Sequence, residues 1–207
     1  MSNTRSERGA PPWLSLTLLL LWYVVFLACA IRLQVRSGEL PSYGGGVFDI
    51  FTSTVLWLGS ITAILIAATR HRSLMRFVTW LGASAAAGAL AIDEVFEFHE
   101  ETRFIIGDDD YIKILMWLAA GMGMALLYRL ERPARAVVAV FLLGFLFHTL
   151  YMVVDMGDGD FYLLPLSINV SVWAEELLEI LSNLAYLTGL LLFLMKNVRD
   201  VPKPLGS

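Results

Sequence analysis

The chain has 207 residues, of which 57% are hydrophobic and only 16% charged, whereas a soluble globular domain carries roughly a quarter of its residues as charges. Together with a mean hydropathy of +0.68, this excludes an ordinary soluble domain and predicts an all-α, polytopic membrane protein. The net charge of −4 fixes no orientation by itself. A single cysteine, Cys29, excludes an internal disulfide and any multi-cysteine metal or iron–sulfur centre, and no basic, aromatic-rich stretch points to nucleic acid.

Six apolar runs have the length that crosses a bilayer, about 20 residues each. The first, 13–34, follows Arg5, Arg8 and Pro11-Pro12. Its basic start, apolar core and Ala28-Cys29-Ala30 also fit the outline of a cleaved signal, and FLAC ending at Cys29 that of a lipidated one, so cleavage or lipidation there stays an alternative. The second run, 47–69, comes after Gly44-Gly45-Gly46 and holds a single acid, Asp49, near its start. Arg70, His71, Arg72 and Arg76 mark the turn into the third, 74–100, which fills with acids at its far end: Asp93, Glu94, Glu97, then His99, Glu100 and Glu101.

The loop that follows is acidic, with Asp108, Asp109 and Asp110. The fourth run, 111–130, contains Gly121 and Gly123, small enough to let another helix approach closely. Arg129, Arg132 and Arg135 flank Pro133 before the fifth, 135–155, which carries His148 inside it and ends in the DMGDGD stretch at Asp155 to Asp160. The sixth, 165–195, holds Glu175, Glu176 and Glu179, and residues 197–207 are expected to be a disordered tail. No internal repeat is visible, so 1–207 reads as a single transmembrane domain.

Lysine and arginine concentrate before the first run, at 70–76, at 129–135 and after the sixth, while the loops after the third and fifth are acidic. Both termini are therefore expected in the cytoplasm and the acidic loops outside, as in a bacterial cytoplasmic membrane. Arg32 and Arg36 run against this pattern.

Counting about 20 residues from each basic boundary reaches Phe96 in the third run, Asp155 in the fifth and Glu176 in the sixth. Acids and a histidine of three helices thus share one level, in the outer third of the membrane. Intramembrane acids are costly, and a functional role is the default expectation for them. So many adjacent carboxylates require protons or a cation among them. The expected metal ligands are Asp93, Glu94, His148, Asp155 and Glu179, with Glu97 and Glu176 as candidate general bases on a metal-bound water. Carboxylates with imidazole suit Zn²⁺, Mn²⁺ or Fe²⁺; carboxylates alone suit Ca²⁺ or Mg²⁺.

The bland readings stand beside these. Acids at a helix end are often solvated interface residues, a lone intramembrane histidine is often a structural hydrogen-bonding group, and His71 among arginines reads as a surface residue. No HExxH, paired ExxH, EF-hand or GxSxG spacing is present. The run DEVFEFHE at Asp93 to Glu100 resembles a pattern of small bacterial membrane proteins, and that resemblance implies no activity. Zinc-dependent membrane hydrolases of the alkaline-ceramidase type also hold metal among helix ends, but their paired histidines are absent.

The leading expectation is an outward-facing carboxylate/histidine metal site serving hydrolysis of a lipid or lipid-linked substrate. Alternatives are a cation- or proton-coupled carrier or channel, and a non-catalytic subunit that pairs with partner membrane subunits.

Overall fold

Inside hydrocarbon a backbone must satisfy its own N–H and C=O groups, so uninterrupted apolar runs become helices. The computed structural model describes residues 12–37, 46–96, 110–155 and 168–199, and no strand occurs among them. The helices are α1 (Pro12–Ser37), α2 (Val47–Thr69), α3 (Leu74–Phe96), α4 (Asp110–Glu131), α5 (Arg135–Asp155) and α6 (Ile168–Arg199). Among the described residues, α2 to α6 each contain a stretch long and apolar enough to cross a membrane.

The chain divides into two units, Met1–Gly38 and Glu39–Ser207. The first is the helix α1, whose last turn carries Arg36 where the helix dipole favours a cation. The second is α2 to α6. Within it α2 packs chiefly on α3, α5 on α6, and α2 also lies along α6.

Small side chains make these contacts close. Ser60 Oγ donates to Ser84 O at 2.9 Å and Ser53 Oγ to Ala91 O at 2.8 Å, which fixes α2 and α3 as antiparallel neighbours. Between α5 and α6, Ser182 Oγ donates to Gly144 O at 3.1 Å. At Gly189 a β-carbon would sit 3.0 Å from the Phe141 ring, so the two helices meet there because a side chain is missing. Gly189→Val is therefore expected to cost about 1–3 kcal/mol by overpacking. A thermal melt in detergent checks this, and an unchanged midpoint would show that Phe141 moves aside freely. Of the two α4 glycines, Gly121 faces Phe145, while a β-carbon at Gly123 would meet nothing within 4 Å.

The turns follow from local chemistry. After α2, Arg70 N–H donates to Ala67 O at 2.7 Å and Ser73 N–H to Arg70 O at 2.9 Å, and Ser73 O then accepts from Phe77 N–H at 2.9 Å to start α3. After α4, Arg132 takes a left-handed φ of 46° while its N–H bonds Tyr128 O at 3.1 Å. Pro133 then stops the helix and α5 begins.

The end of the helices that carries these turns is held by one polar lock. Arg70 Nε donates to both Glu131 carboxylate oxygens at 3.1 Å, and Trp80 Nε1 donates to Glu131 Oε1 at 3.1 Å. Arg70 Nη2 also donates to Asn197 Oδ1 at 2.7 Å. Four helix ends meet there, beside an apolar cluster of Ala63, Ile66, Ala67, Trp80, Val137, Phe141 and Phe193.

Candidate functional site

The opposite end of the helices carries the acids. At the start of α2, Gly46 N–H donates to Asp49 Oδ2 at 2.7 Å, the reaching-back half of a capping box. This holds the Asp49 carboxylate at the helix end, where the dipole favours negative charge. Because α2 and α3 are antiparallel, with Ser53 opposite Ala91, the next turn of α3 brings Glu94 beside Asp49.

The helix α6 supplies the third side. Phe48 of α2 meets Trp173 edge-on, with ring centroids 5.7 Å apart, and Gly59 faces Leu190, so α2 and α6 run in the same direction. Glu176 and Glu179, one and two turns beyond Trp173, consequently lie alongside Asp49 and Glu94.

Glu179, Asp49, Glu176 and Asp93 are all within electrostatic reach of Glu94, Glu179 foremost among them. Around Glu176 the charged neighbours are Glu179, Asp49 and Glu175. Among the described residues, the charged groups that act on Glu94 and Glu176 are carboxylates. These residues are half-buried. Carboxyl groups gathered this closely need a proton or a cation among them, so the group marks a place where positive charge is required.

Of the residues expected from sequence, the fold gathers Asp93, Glu94, Glu176 and Glu179. The His148 ring lies 5.8 Å from that of Tyr151, and its buried Nε2 has no hydrogen-bond partner among the described residues. Asp155 closes α5, but its side chain is outside the described residues, as are Glu97, His99, Glu100, Glu101 and the loop acids at 108–109 and 158–160. Among the described residues, no three His, Cys, Asp or Glu side chains converge as ligands of one metal ion. Asp49 is the residue that sequence reasoning missed. Its signal was an acid inside an apolar run, at the same end as Glu94 and Glu176.

Inward from the acids the interior turns apolar and then meets the Arg70–Glu131 lock. Fold and site together define an all-α protein with several membrane-length helices and a carboxylate cluster at one end of them. The chain belongs to the family described as Domain of unknown function (DUF8692), whose model matches residues 34–194. No curated protein and no solved structure matches it.

Proposed function

We propose that this is an integral membrane protein of six spans, its basic end cytoplasmic and its acidic end outside, whose carboxylate cluster binds a divalent cation. The orientation is supported by exposed Arg72, Arg76, Arg129, Arg132, Arg135 and Lys196 at the end where the lock lies. The cation site rests on one observation above the rest, the gathering of Asp49, Asp93, Glu176 and Glu179 around Glu94. Like charges crowded in a medium of low dielectric repel strongly, and a divalent ion among them turns that repulsion into attraction.

The gathered acids by themselves offer oxygen alone, a donor set that favours Ca²⁺ or Mn²⁺ over Zn²⁺ or Fe²⁺. His148 and Asp155 on α5 extend the site in the fuller version of this reading, which His148→Ala tests through its effect on metal preference. A cation held at headgroup depth supports metal-dependent hydrolysis of a lipid or lipid-linked bond, with Glu176 or Glu97 taking the proton of the attacking water.

The test is thermal unfolding of the full chain in detergent. Mn²⁺ or Ca²⁺ at a hundredfold excess over Kd stabilises by about 2.7 kcal/mol, chelation reverses this, and Glu179→Gln abolishes it. If neither ion shifts the midpoint, the cation site is refuted. A proton- or cation-coupled carrier is a second reading, favoured by the nearness of the Glu94 and Glu179 carboxyl groups. Weighing against it is the apolar cluster between the acids and the other end. Cation flux into liposomes that vanishes in Glu179→Gln would put the carrier first.

A further inference from the structure

We propose that the hydroxyl of Thr52, together with Asp49, belongs to the cation site, so that α2 supplies a neutral and a charged oxygen opposite Glu94 and Glu179. This rests on the reading of the acids as a cation site and names its missing ligands.

Threonine in a helix ordinarily donates its hydroxyl to the carbonyl four residues back. Thr54, Thr62, Thr79, Thr149 and Thr188 all do so, at 2.7–2.8 Å. Thr52 does not. It is 1% exposed, and its Oγ1 has no hydrogen-bond partner among the described residues. A buried hydroxyl without a partner costs about 1–3 kcal/mol, so its environment must supply something to bond.

The direction of that hydroxyl follows from its neighbours on the same helix. At about 100° per residue, Ser53 and Ser60 lie roughly 80–100° to one side of Thr52, and Phe48 and Gly59 roughly 20–40° to the other. The first pair touches α3, through Ala91 and Ser84, and the second touches α6, through Trp173 and Leu190. Thr52 therefore faces the seam between α3 and α6, and Asp49, about 60° round on the α3 side, faces it too. That seam is where Glu94 of α3 and Glu176 and Glu179 of α6 come together.

Farther along the same arc α2 presents Leu56, Ala63 and Ala67, the last two fully buried in the apolar cluster. On this arc of α2 Thr52 is thus the last polar side chain before the apolar cluster. A neutral hydroxyl beside carboxylates suits a hard, oxygen-seeking divalent ion, which takes alcohol and carbonyl oxygens as well as acids.

The test measures Mn²⁺ binding to the full chain in detergent by loss of the free-ion EPR signal, with melting curves to confirm folding. Thr52→Val, of nearly the same shape, is expected to weaken Kd about tenfold. Thr52→Ser, which keeps the oxygen, should stay within about twofold of wild type, and Asp49→Asn, which keeps a capping oxygen, should weaken Kd by about 10–100-fold. Mn²⁺ binding that is lost in Glu179→Gln but unchanged in Thr52→Val overturns this inference and leaves the cation site standing. Equal weakening by Thr52→Val and Thr52→Ser overturns it as well, since shape rather than oxygen would then matter. An absence of Mn²⁺ binding in the wild type removes both readings together.

Discussion

Glu131→Ala is expected to destabilise the protein by about 3–5 kcal/mol, the cost of removing one partner from a buried ion pair. For a chain of this size that corresponds to a fall of roughly 6–20 °C in the unfolding midpoint. The Glu131 side chain is 2% exposed and that of Arg70 19%, so water replaces little of what is lost. The carboxylate accepts from Arg70 of the α2–α3 turn and from Trp80 of α3. Arg70 in turn reaches Asn197 of α6, and its guanidinium carbon lies 5.5 Å from the Phe193 ring centroid. Without Glu131, a guanidinium and an indole N–H are left in a poorly hydrated place without their acceptor.

Two further variants separate charge from packing. Arg70→Ala leaves a buried carboxylate behind and is expected to cost at least as much as Glu131→Ala. The double variant leaves neither charge, so its cost should fall well below the sum of the two singles. Additive costs would mean that Arg70 and Glu131 act separately, and the lock would not exist as a unit.

How much of this was legible beforehand depended on the kind of information needed. An all-helical fold with several membrane-length helices follows from uninterrupted apolar runs, because hydrocarbon leaves the backbone no other way to satisfy itself. Depth was legible too: counting from the basic boundaries put Glu94 and Glu176 at one level, and the two share one electrostatic neighbourhood. Azimuth was not. Which helix a face meets depends on the order of the bundle, and nothing local states that Phe48 of α2 meets Trp173 of α6.

Glu131 sits among Arg129, Arg132 and Arg135 and reads as part of a solvated turn, while its partner Arg70 lies 61 residues away. Asp49 was hidden for another reason. An acid in the first turn of a helix is accounted for by capping, as its bond to Gly46 shows, so an acid inside an apolar run was the one sign of its place beside Glu94 and Glu176.

Glu176→Gln is expected to raise the unfolding midpoint when a chelator is present, against the usual run of substitutions, which destabilise by about 1 kcal/mol. The charged groups acting on Glu176 are Glu179, Asp49 and Glu175, all of the same sign. Each such pair repels by on the order of 1–2 kcal/mol in a partly screened protein environment. Glutamine keeps the volume and a hydrogen-bonding oxygen while removing the charge. In Mn²⁺ the order reverses, because the wild type gains the binding energy of the ion and the variant gains less of it. That crossing separates a site from a scaffold: acids kept for architecture lose stability when neutralised, whereas acids kept for a ligand gain it at the expense of binding. Melting both proteins in chelator and in Mn²⁺ decides the matter, and a midpoint lowered by Glu176→Gln under both conditions would assign these acids to holding the helices together.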